Sequence, residues 1–227
     1  MEQVKKKLII FGAGKIADAV SYYFNRDSDY SIEAYITDDN FKTSNTFLEK
    51  PLIVLSDVLK KYPPQNYEVF VAVGYQGLNT FRESKYLYFK EKGYKIAKYI
   101  SPNVKGDFAI GENSIIMDGV AIQPKVTIGN NSFLWGGAML GHHATIKNHC
   151  WITGGCLIGG SVTIGEKTFL GIGTIITQEI AIGSSCVLGA ATYITSDMED
   201  ETVLISNPTE KFRLNSKQFV KMSSFFK

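Results

Sequence analysis

The sequence predicts a small α/β Rossmann-like domain, then a parallel β-helix, then a short C-terminal tail. Three observations carry that prediction. An aliphatic residue recurs at every sixth position from Ile110 to Ile194; a glycine directly follows many of these anchors; and the first hundred residues lack the repeat but alternate strand-like with helix-like segments. Fixed-period self-similarity is the sequence signature of a parallel β-helix. A strict period of six fits neither a 3.6-residue helix nor the irregular turns of a sandwich.

The domain at 1–100 is predicted from short buried runs and glycine turns. Leu8-Ile9-Ile10-Phe11 is a buried strand, and Gly12-Ala13-Gly14-Lys15-Ile16-Ala17 opens a helix reaching about Asn25. Ile32 to Ile36 is a second strand ending at Asp38-Asp39. Val69 to Val73 is a third that closes on Gly74, a helix follows from about Asn79 to Lys92, and Lys95 to Ile100 is the last strand. Strands alternating with helices argue a parallel sheet, whose ligands gather at the C-terminal strand ends. Here those ends are Gly12 to Gly14, Asp38-Asp39 and Gly74-Tyr75. A glycine-rich loop at a helix N-terminus suits any phosphate-bearing ligand. Because Ala17 replaces the third glycine of the dinucleotide fingerprint, a nucleotide or nucleotide-sugar, a redox dinucleotide and a purely structural turn all remain open.

From Ser101-Pro102 the repeat takes over, and the second domain is placed at 101–206 with a tail at 207–227. If three six-residue units make one triangular coil, residues 18 apart stack at about 4.8 Å, the ordinary inter-strand spacing. Four residues after each anchor nearly every side chain is small, as a tight inner corner requires. Cys150, Cys156 and Cys186 all fall in this column, which makes them buried corner residues rather than disulfides or a reactive thiol. The outward residues before the anchors form three faces. One shows Thr127, Thr145 and Thr163; the second Ile115, Phe133, Trp151 and Phe169; the third Met139, Leu157, Ile175 and Tyr193. Two apolar outer faces predict interfaces, and two different ones meeting at an edge suit a ring such as a homotrimer; coverage by the N-terminal domain or the C-terminal tail is the alternative.

The same stacking sets His142 directly below Gly160 and flanks His143 with Lys125 and Ser161. A histidine beside a glycine N–H is what acyl transfer needs: a base near the nucleophile and a donor for the developing oxyanion. A solvated turn with incidental histidines is the bland alternative. A zinc site built from His142, His143 and His149 is disfavoured because the three crowd one coil. The net charge of +2, without a basic run, argues against a nucleic-acid footprint. No apolar stretch approaches the roughly 20 residues needed to span a bilayer, and no secretory pattern is present. A soluble cytoplasmic protein without membrane insertion is expected.

On these residues the chain resembles the hexapeptide acyltransferases, specifically the sialic-acid O-acetyltransferase-like family, which includes N-acetyltransferases of nucleotide-linked amino sugars. The resemblance rests on Gly12-Ala13-Gly14, Thr37-Asp38-Asp39, Val71-Ala72-Val73-Gly74 with Arg82 following, the unbroken repeats, and Ser206-Asn207-Pro208-Thr209-Glu210-Lys211. It implies a left-handed winding, a homotrimer, and acetyl-CoA lying along the helix between subunits, with no metal. It further implies that His142 is the general base and that Gly160 presents its amide to the thioester carbonyl. His143 occupies the position of the base's acidic partner, so the family's usual carboxylate is absent. Trp151 stands where the family has a second, cofactor-contacting histidine. Gly160, Asn207, Pro208 and Lys211 join it in the implied cofactor set. Gly12, Gly14, Asp38, Asp39, Gly74 and Arg82 are the implied nucleotide-sugar ligands. The resemblance points to N-acetylation of a nucleotide-linked deoxyamino sugar in surface-glycan biosynthesis. The alternatives are O-acetylation of a sugar or sialic acid, and a non-catalytic trimeric scaffold that binds a sugar nucleotide. The tail after Lys211 is expected to cap the last coil's open edge.

Overall fold

The structure, a computed structural model, describes residues 5–222. Apolar runs flanked by turn residues build the first sheet. Its strands are β1 (Lys6–Phe11), β2 (Tyr30–Thr37), β3 (Thr46–Phe47), β4 (Lys50–Val54), β5 (Glu68–Val71) and β6 (Lys95–Ile96), in the order β3-β4-β2-β1-β5-β6. All neighbours are parallel except β3 and β4. Helices α1 (Lys15–Asp27), α2 (Val58–Lys61) and α3 (Thr80–Glu91) connect them. Gly12 is required where β1 ends: its φ is +131°, and a Cβ there would collide with the carbonyl oxygen of Ala72. The β3–β4 hairpin and α2 are not foreseen in the sequence, and the third strand stops at Val71 rather than Val73.

The six-residue period becomes three parallel sheets, each pairing residues 18 apart. Phe133 pairs with Trp151, Met139 with Leu157, and Thr145 with Thr163. The anchors Ile116 to Ile194 point inward and form one continuous core with the small corner residues. Each fully buried aliphatic side chain contributes about 1.5–3 kcal/mol. Every turn between Ile110 and Ile194 places the third residue after its anchor at positive φ, for example Asn131 at 55°, His143 at 60° and Ala191 at 57°. Glycine fills that position at 119, 137, 155 and 173, where coil stacks on coil with no Cβ between.

The three cysteines are free and fully buried, as the corner column predicts. The structure adds a role for them as weak donors. Ser114, Ser132, Cys150, Thr168 and Cys186 each reach a carbonyl of the following coil, at 2.8, 3.0, 3.1, 2.9 and 3.2 Å. Burial raises all three thiol pKa values, that of Cys150 up to about 12.

The predicted strand from Lys95 to Ile100 is in fact two. β6 completes the first sheet, whereas Tyr99–Ile100 pairs with Ile115–Ile116 and starts the second apolar face of the β-helix. That short tether brings the α/β domain down onto this face. Ile115, Phe133 and Trp151 are buried with Phe24, Phe70 and Tyr99 in one core that spans both domains. The expectation that both apolar faces serve subunit contacts is therefore corrected for this face, which the chain covers itself. The third face stays open, with Leu157, Ile175 and Tyr193 exposed.

The junction is organised around Arg82, which is completely buried. Its guanidinium donates to the Asn79 and Asn131 side-chain oxygens (2.8 and 3.1 Å). It also reaches the carbonyls of Gly74, Asn131, His149 and Cys150 (3.2, 3.1, 3.4 and 3.2 Å). It sits over the rings of Phe133 and Trp151, 4.7 and 5.0 Å from their centroids. The opposite side of the junction is the turn column Asn113-Asn131-His149. Asn113 pairs with the backbone of Val71 and with Asn131, and Asn131 pairs with His149 Nδ1. Burial lowers the His149 pKa, while Glu83 at 3.5 Å opposes that shift.

The open edge of the last coil is closed by Asp197–Leu204: Met198 bridges to Ile182, and Val203–Leu204 pairs with Val187–Leu188. The tail does not perform this role within the described residues, since α4 (Ser216–Met222) has no buried residue, and 223–227 lie outside them.

Replacing Arg82 with Ala leaves the buried carbonyls of Gly74, Asn131 and His149 without a donor, while that of Cys150 keeps the Phe133 N–H. It should cost about 3 kcal/mol in chemical denaturation; a wild-type midpoint would remove Arg82 from the junction's support. The three thiols should resist a disulfide reagent at pH 8 in the native protein and react only on unfolding, since buried thiols with raised pKa are inert.

Candidate active site

His142 and His143 occupy the turn between the strands Met139–Leu140 and Thr145–Ile146 and are exposed. The backbone N–H of His142 donates to Gln123 Oε1 at 2.9 Å, which fixes the turn against the preceding coil. Its ring lies over Gly160: a Cβ at that position would stand 2.8 Å from both Cε1 and Nε2. The 18-residue stacking therefore brings together the histidine and the glycine that the sequence aligned. The carbonyl of Gly160 accepts from the Glu179 N–H at 2.8 Å, and its own N–H has no acceptor among the described residues. His142 and His143 meet edge to face, with their Nδ1 atoms 3.1 Å apart. A ring with a basic nitrogen beside an unpartnered amide is suited to proton removal and oxyanion stabilisation.

His149 does not join this pair. It is buried in the junction against Asn131, Glu83 and Tyr86. Although the three histidines share one coil, its turns point them to different faces. Among the described residues no group of three His, Cys, Asp or Glu side chains is arranged to hold a metal.

A second site lies at the C-terminal strand ends of the α/β sheet, as parallel topology requires. It is a cavity of about 670 Å³ lined by Phe11, Gly12, Ala13, Thr37, Asp38, Phe41, Val73, Gln76, Gly77, Thr80, Phe81 and Ser84. Gly12 and Asp38 belong to it, and the other implied ligands do not line it. Gly14 is the N-cap of α1, Asp39 pairs with Ser56, and the Gly74 carbonyl is held by Arg82. One oxygen of Asp38 is already engaged by Lys85, which also lies over the rings of Phe11 and Phe81. The sequence signal for Phe81 and Lys85 was their four-residue spacing, which puts them on one face of α3. Phe41 follows β2 in a short 3-10 turn that the repeat-free sequence did not announce.

Two expected ligands are corrected. Arg82 is buried and spends its donors on the junction, so it presents none to a ligand. Trp151, 2 % exposed, stacks on Phe133 at 5.0 Å and is covered by Tyr75, so it offers no surface to a cofactor. Both are ligands only by the resemblance, and both are drawn inward by the docking of the α/β domain. Asn207, Pro208 and Lys211 are exposed in a segment without regular structure beyond the last coil.

Comparison with known proteins agrees with this architecture. The family model for the bacterial transferase hexapeptide (six repeats) matches residues 109–142, and that for the hexapeptide repeat of succinyl-transferase matches 161–196. No curated protein sequence matches. Among solved structures, the acetyltransferase domain of PglB from Neisseria gonorrhoeae is 22% identical. The match covers 92% of this chain and 100% of that one, with a TM-score of 0.78. A histidine-to-asparagine mutant of perosamine N-acetyltransferase from Caulobacter crescentus, in complex with CoA and GDP-perosamine, is 23% identical. That match covers 88% of this chain and 93% of the other, with a TM-score of 0.79. WeeI from Acinetobacter baumannii is 16% identical, covering 90% and 98%, with a TM-score of 0.60. The chain thus carries hexapeptide repeats and has the fold of an α/β domain followed by a left-handed parallel β-helix.

Proposed function

We propose that the protein is an acetyl-CoA-dependent N-acetyltransferase acting on the amino group of a nucleotide-linked deoxyamino sugar in surface-glycan biosynthesis. The observation that carries this reading is the His142 ring lying over Gly160, whose N–H has no acceptor among the described residues. The similar structures support the substrate classes, since one holds acetyl coenzyme A and others hold CoA with GDP-perosamine. The cavity around Gly12, Thr37 and Asp38 is of a size for a nucleotide and lies beside the N-terminus of α1, where backbone amides favour phosphate.

In the transfer, His142 Nε2 takes the proton that the acceptor nitrogen loses as that nitrogen bonds to the thioester carbon. The Gly160 N–H stabilises the oxygen that gains charge. The C–S bond then breaks, and the thiolate of CoA leaves and collects a proton as the amide forms. No metal takes part in this scheme. The exposed third face, with Leu157, Ile175 and Tyr193, is the surface for contact between copies in a homotrimer whose groove would take the pantetheine chain. No helix among the described residues is long and apolar enough to cross a membrane, in line with a cytoplasmic enzyme drawing on a soluble acyl donor.

Mass spectrometry of products from a panel of dTDP-, UDP- and GDP-linked amino sugars tests the reading directly, and fragmentation separates amide from ester products. His142→Asn should lower kcat by about 10²–10⁴-fold with an unchanged circular dichroism spectrum; near-wild-type turnover would remove His142 from the mechanism. Gly160→Ala should fold, because the obstructing atoms belong to a surface side chain. It should lose about 10²-fold in kcat/KM because the His142 ring must move aside.

A further inference from the structure

We propose that His143 takes the place of the absent carboxylate. As a neutral imidazole it accepts the Nδ1–H of His142 and thereby leaves His142 Nε2 without a proton, beside Gly160. This rests on the reading of His142 as the general base. The two Nδ1 atoms are 3.1 Å apart, so of two neutral rings one donates and the other accepts. The reading of His142 as the base decides which. The face of the ring over Cε1 and Nε2 lies against Gly160, and Nε2 has no hydrogen-bond partner among the described residues; a base must keep that nitrogen free of a proton. His142 therefore carries its proton on Nδ1, and His143 receives it there while holding its own proton on Nε2, toward solvent.

The backbone supports the arrangement. His143 sits at φ 60°, and its N–H bonds to the Pro124 carbonyl at 3.1 Å, so the left-handed turn directs the ring back edge-on to His142. The charged groups in the neighbouring turns are Lys125, one coil before His143 in the same column, and Glu179, two coils after it. Neither has a hydrogen bond or ion pair to the two rings among the described residues. His143 is thus a positioning residue, performing by tautomer control what a carboxylate performs by tautomer control and charge together.

The test uses the full chain labelled with ¹⁵N-histidine. Only three histidines contribute, and His142→Asn and His143→Ala assign two of them. Alanine is tolerated at this turn position, since Ala191 occupies the equivalent one at φ 57°. Long-range ¹H–¹⁵N spectra above the titration range should show His142 as the Nδ1–H tautomer in the wild type. In His143→Ala it should shift toward the Nε2–H form preferred in water. In His143→Asp the Nδ1–H form should return, with His142 titrating at higher pH because an anion now faces it. In acetyl transfer, His143→Ala should lose about 10–100-fold in kcat with KM little changed. His143→Asp should recover kcat with its acid limb moved to higher pH. A wild-type His142 carrying its proton on Nε2, or a tautomer indifferent to His143→Ala, overturns the proposal. Absence of turnover with every acceptor would instead sink the functional reading, while the tautomer measurement would still decide the role of His143.

Discussion

Each coil of the helical domain must hydrogen-bond its backbone to the coil 18 residues later, and nearly everything else in the structure follows from that demand. A parallel stack tolerates no drift, so each turn adopts the same shape with one residue in the left-handed region. Only small side chains fit the corners inside these turns, and those with a donor use it on the next coil. Serine, threonine and cysteine interchange along the column from Ser114 to Cys186 because each offers a short side chain with a hydrogen to give. The cysteines are part of the ladder, and their burial keeps them out of chemistry.

The second constraint is the docking of the α/β domain. A tether of two residues between β6 and Tyr99–Ile100 leaves the domain little choice of surface, and the nearest apolar face is the one starting at Ile115. Apolar packing alone would allow sliding. The directional contacts of Arg82 with two asparagines and four carbonyls select one arrangement. Burying a guanidinium without a carboxylate is costly unless every donor is satisfied. Here carbonyl dipoles and the faces of Phe133 and Trp151 supply that compensation. The cavity at the strand ends is consequently held in a defined orientation to the helix.

The candidate chemistry inherits both constraints. His142 lies over Gly160 because the two are one coil apart, and it lies outward because its turn bends away from the core. The same turn at His149 faces the junction, where Asn131 and Glu83 hold the ring. Identical local geometry thus yields a solvent-facing imidazole in one column and a structural one in the next. The distinction arises from what the other domain covers, not from the turn.

The repeat by itself determined the helix, the coil length of 18, the buried cysteines, the two apolar outer faces and the pairing of His142 with Gly160. Periodic hydrogen bonding translates sequence spacing directly into spatial neighbours, so these were legible without coordinates. The α/β order was legible from its apolar runs, except for the β3–β4 hairpin and α2, which are too short to show a period. Only tertiary structure decided which apolar face the chain would cover itself. With that came the burial of Arg82 and Trp151, the split of the strand at Lys95–Ile100, and the pairing of Asp38 with Lys85. Spacing along one chain cannot report these contacts, because they form between two domains or two elements whose mutual placement depends on shape and desolvation rather than on period.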